Sequence, residues 1–137
     1  MSDKVAIVTG GGQGIGAGIA ERLAHDGYAV IVNGRTKSKL DSVVADITAQ
    51  GGQAVSFVGD VQSRQVNIDM VQFAMTTYGR LDVFVANAGI DWVDSIEETP
   101  EAEVDNVLNI NLKSQIWALQ AAPSAMRKNG SAGGNII

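Results

Sequence analysis

The run Thr9-Gly10-Gly11-Gly12-Gln13-Gly14-Ile15-Gly16 follows directly on the apolar stretch Val5 to Val8. Residues of these types in this order can hold an anion through the backbone alone. A buried strand ends, glycines turn the chain, and a helix opens with N–H groups that have no intrahelical acceptor. The helix macrodipole is positive at that end, so a phosphate is stabilised there. Gly10 permits the turn, Gly14 lets the backbone approach a phosphate closely, and Gly16 lets helix and strand pack together. Alone, the segment also fits an ordinary strand-to-helix loop, so its weight depends on what stands elsewhere. Three further clusters carry polar chemistry: Asn33-Gly34-Arg35 with a guanidinium, Asp60-Val61 with a carboxylate, and Asn87-Ala88-Gly89 with a carboxamide beside two small residues.

These residues need elements to position them. Val5–Val8 reads as a first strand and Gly14 to about Asp26 as a helix, with Ile15, Ile19, Ala20 and Leu23 on its inward face and Gly27 closing it. Tyr28–Val32 is a second strand. Lys37 to Gln50 is helical, with Leu40, Val43, Val44 and Ile47 inward and Gly51-Gly52 as the stop. Ala54–Val58 is a third strand, Arg64 to Tyr78 a helix ended by Gly79, and Leu81–Ala86 a fourth strand. Thr99 is expected as an N-cap, with Pro100 at the first helical position. A long helix with one interruption then reaches about Arg127, and Asn135 to Ile137 opens a fifth strand. Strict alternation, with strands apolar on both faces, predicts a parallel sheet covered on both sides. Right-handed crossovers favour a doubly wound α/β sheet of Rossmann type, order 3-2-1-4-5.

Composition narrows the function. The 137 residues suit one domain, and 45% apolar with 18% charged residues is ordinary for a globular chain. A net charge of −5 argues against a general nucleic-acid binder. Cysteine is absent and His25 is the single histidine, so no metal site is expected. No signal peptide or membrane-length apolar run is read, and a cytoplasmic location is expected.

In a sheet of this order the ligand crevice lies beyond the carboxyl ends of strands 1 and 4. The glycine run and Asn87-Ala88-Gly89 flank it. Asp60-Val61 stands after strand 3, where an adenine would lie, and Asn33-Gly34-Arg35 after strand 2, where the adenosine ribose would lie. Four loops converging on one site make nucleotide binding the strong reading. A free ribose 2′-hydroxyl usually meets an Asp or Glu roughly 20 residues after the glycine turn. Here that zone holds Asn33, Gly34 and Arg35, with no acid before Asp41. A guanidinium can grip a 2′-phosphate that a carboxylate would repel. Arg35, Lys37 and Lys39 also cluster near a helix N-terminus, where cations oppose the dipole. The expected cofactor is NADP(H), with NAD less favoured.

Thr9-Gly10-x-x-x-Gly14-x-Gly16, Asp60-Val61, Asn87-Ala88-Gly89 and Asn111, in that order and spacing, resemble the classical short-chain dehydrogenases/reductases from Val5 to Ile137. Leu81 to Gly89 and Asn109 to Ala122 look most like diacetyl/acetoin reductases and related carbonyl reductases. The resemblance implies hydride exchange between NADP(H) and a small carbonyl or alcohol. It implies that Gly10, Gly14, Ile15 and Gly16 hold the pyrophosphate, with Thr9, Gly12 and Gln13 also on the cofactor, that Asp60 contacts adenine, and that Asn87, Ala88 and Gly89 line the nicotinamide side. Asn111 would match the family's active-site asparagine, which holds a water in a proton relay. Pairing of two copies through the long helix containing Asn111 is also implied. Ala86 stands where many relatives have a second asparagine.

That family reduces carbonyls with a Ser and a Tyr-x-x-x-Lys pair beyond the fifth strand, and this sequence stops at Ile137. Tyr28 opens strand 2 at the wrong edge, and Tyr78 is followed four residues later by Asp82, so neither substitutes. The expectation is the cofactor-binding portion of a longer reductase. The alternatives are a short, non-catalytic nucleotide-binding or interaction module and, far behind, a methyltransferase of the same sheet order, which lacks its usual acid after strand 2.

Overall fold

The computed structural model describes residues 4–137. Five strands form one parallel sheet in the order β3-β2-β1-β4-β5. They are β1 Lys4–Val8, β2 Tyr28–Gly34, β3 Gln53–Val58, β4 Val83–Val85 and β5 Asn135–Ile136. Between them run α1 Gly14–His25, α2 Lys37–Ala49, α3 Arg64–Tyr78, α4 Glu101–Leu108 and α5 Ser114–Met126. Register is fixed from Lys4↔Tyr28 to Val8↔Val32 on one side of β1, and from Ala6↔Val83 to Val8↔Val85 on the other.

Alternation along the strands divides the core. Val5, Ile7, Ala29, Ile31 and Phe84 face α3 and α5, meeting Met70, Ala74, Ala118 and Ala122. Ala6, Val8, Val30, Val32 and Val83 face α1 and α2, meeting Ala20, Ala24, Leu40, Val43 and Ile47. Successive residues are therefore buried on opposite faces, which is why the strands read as unbroken apolar runs. The small residues of α1 and α5 let those helices lie close to the sheet.

Local boundaries follow local chemistry. Ser63 caps α3 by accepting the Val66 N–H at 3.4 Å, and Gly79 ends it in the left-handed region at φ 77°. Three expectations shift. Ile15 does not face inward: it is 78% exposed, because α1 packs through Gly16, Ala20 and Ala24 while its first turn opens beyond the strand ends. Pro100, rather than Thr99, is the N-cap of α4, and the Thr99 hydroxyl instead donates to the Ser95 carbonyl at 3.0 Å. Regular β4 is confined to Val83–Val85, although the flanking Asp82 and Ala86 still hydrogen-bond to Val5, Asn135 and Ile137. The interruption of the long helix is a π-helical turn, Asn109–Lys113, between α4 and α5.

Candidate functional site

Beyond the carboxyl ends of β1 and β4 lies a cleft of about 440 Å³. One wall is the loop after β1 with the first turn of α1. Gly10 and Gly14 adopt φ of 63° and 54°, which the turn requires and which side chains resist. Gly16 is held by close approach: a Cβ there would sit 2.2 Å from the Gly10 carbonyl oxygen and 2.6 Å from Asn87 Nδ2. Gln13, the N-cap residue of α1, makes no side-chain cap, and the first turn carries no acid. The helix thus opens toward the cleft with backbone donors and no internal anion, the environment a pyrophosphate selects.

The loop is stapled to the end of β4. Asn87 Nδ2 donates to the Thr9 carbonyl at 3.0 Å and lies 3.5 Å from that of Gly10. The Thr9 hydroxyl accepts the Ala88 N–H at 3.0 Å and donates to the Val85 carbonyl at 3.4 Å. Thr9 is buried and stands behind the wall rather than on it. Asn87, Ala88, Gly89 and Ile90 line the cleft, with Ile110 from the π turn beneath them.

At the end of β2, Asn33, Gly34 and Arg35 line the opposite side with Thr36, Lys39 and Leu40. Asn33 is fully buried, and its Nδ2 ties β2 to the end of β3 by donating to the Phe57 and Gly59 carbonyls at 3.0 and 3.1 Å. Its Oδ1 has no hydrogen-bond partner among the described residues. The three cations differ. Lys37 pairs with Asp41 at 2.6 Å, Lys39 donates to Gln13, and the exposed Arg35 makes no ion pair among the described residues. Asp60 and Val61 line the cleft after β3, where the Asp60 carboxylate accepts the Gln62 N–H at 3.0 Å and folds the loop.

Asn111 lies on the π turn, exposed and beside rather than on the cleft wall. Its Oδ1 accepts the Ile90 N–H at 2.9 Å and its Nδ2 donates to the Ile90 carbonyl at 2.7 Å. One turn on, Gln115 Nε2 donates to the Ala86 carbonyl at 2.8 Å. Gln115 was not singled out from the sequence; a polar residue four positions after Asn111, hence on the same helix face, was the available signal. Thr36, Leu40, Gly59, Ile90 and Ile110 also line the cleft without having been assigned to it from the sequence, and Lys39, noted there only as part of the basic cluster, lines it too.

The residues fit a dinucleotide. Glycine backbone and an acid-free helix start face the position of a pyrophosphate, and the end of β2 offers a guanidinium where a carboxylate would repel a 2′-phosphate.

Comparison with known proteins agrees with this geometry. The family model described as short chain dehydrogenase matches residues 4–137. A diacetyl reductase [(S)-acetoin forming] of Staphylococcus epidermidis is 40% identical over 130 residues, covering 95% of this chain and 51% of that protein. The tropinone reductase-like 3 protein of Erythroxylum coca is 36% identical over 93% of this chain and 50% of its own length. Among solved structures, a metagenomic short-chain oxidoreductase in complex with NADP superposes with a TM-score of 0.91 at 34% identity, covering 99% of this chain and 61% of that one. A Burkholderia cenocepacia short chain dehydrogenase in complex with NADP gives 0.84 at 36% identity, covering 89% and 50%. The chain spans about half the length of the curated relatives it matches.

Proposed function

The chain belongs to the short-chain dehydrogenase family, and from that premise we propose that it forms the dinucleotide-binding part of an NADP(H)-dependent oxidoreductase interconverting a carbonyl and an alcohol. The observation that carries the cofactor choice is Arg35: an exposed guanidinium without an ion-pair partner among the described residues, on the cleft wall where an acid would select a free 2′-hydroxyl. Two structural relatives in complex with NADP support it.

The roles divide by wall. The first turn of α1 and the glycine loop hold the pyrophosphate; Asp60 and Val61 border the adenine; Asn87, Ala88 and Gly89 form the nicotinamide side. These walls would hold a nicotinamide dinucleotide, which would supply a hydride to a carbonyl carbon when reduced and accept one from an alcohol carbon when oxidised. The matching proton belongs to the Ser and Tyr-x-x-x-Lys set implied by the family resemblance, which lies outside this sequence. Asn111 acts as a positioning residue, fixing the Ile90 backbone at the nicotinamide end. The identity to a diacetyl reductase supports a small carbonyl compound as substrate.

A homo-oligomer is part of the same proposal. Val104, Leu108, Leu112, Ile116 and Leu119 are exposed at helical spacing along α4, the π turn and α5, forming an apolar stripe suited to a second copy.

Titration of the purified protein with NADPH and NADH, followed by nicotinamide fluorescence, tests the cofactor reading. Tighter NADPH is expected; equal or tighter NADH overturns it.

A further inference from the structure

We propose that Asn33 and Asn67 are a pair of positioning residues that give the cleft its choice of base, by holding the segment from Phe57 to Ser63 in one shape. This rests on the placement of adenine beside Asp60 and Val61 given above and adds two determinants to it, one of them on α3.

Asn67 lies in the first turn of α3 and is 1% exposed. Its Nδ2 donates to the Val61 and Ser63 carbonyls at 3.0 and 2.9 Å. Asn33, at the end of β2 and fully buried, donates in the same way to the Phe57 and Gly59 carbonyls. Two carboxamides thus take the carbonyls of alternate residues along one stretch of chain. Each spends both N–H bonds of its Nδ2 on oxygens, which fixes the amide's orientation, because an oxygen in that place would face two others. The Oδ1 of each is left buried with no hydrogen-bond partner among the described residues. An unpartnered buried acceptor costs stability, and here that cost falls at both ends of the same segment. What the pair gains is a backbone whose carbonyls turn into the protein, so that Gly59, Asp60 and Val61 meet the cleft in a fixed order.

Packing closes the segment from behind. A Cβ on Gly59 would lie 2.6 Å from Val66 Cγ1 and 3.3 Å from Phe57 Cε1, and the Gly59 N–H donates to the Gly34 carbonyl at 3.0 Å. The Asp60 carboxylate is thereby carried on a backbone tied to β2 on one side and to α3 on the other. A carboxylate only accepts hydrogen bonds. Held in place, it attracts the 6-amino group of adenine and repels the 6-oxo group of hypoxanthine. On a loose loop it turns away from the oxo group, and the distinction fades.

A tie that only stabilises the fold has a different signature, because its loss weakens every nucleotide by the same factor. NADPH and its hypoxanthine analogue, which differ only in the purine, are titrated by nicotinamide fluorescence, with thermal midpoints recorded in parallel. The proteins are the wild type, Asn67→Leu, Asn33→Ala, the double variant and Asp60→Ala. Asn67→Ala takes the place of Asn67→Leu if the leucine variant does not fold. The wild type binds NADPH about tenfold more tightly than the analogue, and Asp60→Ala loses that preference. Asn67→Leu and Asn33→Ala each reduce it to about two- to threefold, and the double variant goes little further, because both act on one segment. A wild type with no preference overturns the placement of adenine beside Asp60 itself. A preference lost in Asp60→Ala but unchanged in Asn67→Leu and Asn33→Ala, with both ligands weakened alike, overturns the pair alone. A preference reduced in Asn33→Ala but intact in Asn67→Leu removes Asn67 from it.

Discussion

Both ends of the Asn111 carboxamide are engaged by the backbone of Ile90, with Nδ2 donating to its carbonyl at 2.7 Å and Oδ1 accepting its N–H at 2.9 Å. A side-chain amide thereby reproduces the pairing of one strand residue with another and ends the loop after β4 at a defined height. The π turn carrying Asn111 contains one more residue per hydrogen-bonded ring than the α-helix, and such turns recur at functional sites because they redirect a side chain. Asn111→Ala is expected to cost about 1 kcal/mol, since the freed Ile90 groups can turn to water. Its sharper signature is local: the Ile90 amide should exchange with deuterium markedly faster while α1 and β1 stay protected. Unchanged exchange at Ile90 would show that the pair does not hold the loop.

Gly16→Ala probes the opposite wall. The added Cβ would fall 2.2 Å from the Gly10 carbonyl oxygen and 2.6 Å from Asn87 Nδ2, neither of which is the free end of a flexible chain. The loop must move, and the Asn87 contact to Thr9 moves with it. Overpacking of this kind costs about 1–3 kcal/mol, and nucleotide affinity should fall at least as far. A urea midpoint and an NADPH titration matching the wild type would contradict this.

How much of this was legible depends on the range of the forces. The span of α3, Arg64 to Tyr78, could be read directly, because Gly79 terminates it through local backbone chemistry. The strand order could be read because alternating apolar runs and right-handed crossovers leave few topologies. Ile15 could not be placed, because its exposure follows from where the sheet ends rather than from helical periodicity. The Asn111 to Ile90 pair, Gln115 at the Ala86 carbonyl and the Lys39 to Gln13 link each join residues separated by at least 21 positions. No local rule anticipates them. The glycine loop was legible because it does its work through its own backbone.

Asp82 gives the fold a pH-dependent element at the edge remote from the cleft. Burial raises its pKa, but the Arg80 guanidinium, the Val5 N–H at 2.8 Å and the charges of Arg80 and Lys4 outweigh that and hold it below the ordinary carboxylate value. A carboxylate with a depressed folded-state pKa contributes stability above its unfolded pKa of about 3.9 and loses that contribution as pH falls through the folded value. Asp82→Asn should therefore be less stable than wild type by about 2 kcal/mol at pH 7, the scale of hydrogen bonds to a charged group. Below about pH 4 the gap should close. Thermal midpoints from pH 7 to pH 2 check this, and a gap independent of pH would assign the loss to packing rather than charge.

Arg35→Asp replaces the exposed guanidinium on the cleft wall with a group that repels a 2′-phosphate and accepts a free 2′-hydroxyl. The ratio of NADH to NADPH affinity should rise by about 10–100-fold, or about 1.4–2.8 kcal/mol of differential binding. Because Arg35 is exposed, the thermal midpoint should hardly move. A ratio equal to that of the wild type would remove Arg35 from the specificity argument.

The stripe along α4 and α5 leads to the last prediction. Leu108, Leu112 and Leu119 are 46%, 54% and 57% exposed, and Val104 and Ile116 extend the same row. Intervals of four residues from Val104 to Ile116, and of three from there to Leu119, keep them on one face through the wider π turn, where a helix on a solvated surface would carry polar groups. Burying such a row against a second copy removes apolar area from both partners at once, at about 25 cal/mol per Å². Leu112 adjoins Asn111, so a partner seated on the stripe would also brace the π turn that holds Ile90. The wild type is therefore expected to sediment as a dimer or larger assembly, and Leu112→Glu, which places a charge mid-stripe, as a monomer with faster Ile90 exchange. A wild type that sediments as a monomer at every concentration would leave the stripe without this role. An assembly unaffected by Leu112→Glu would move the interface elsewhere.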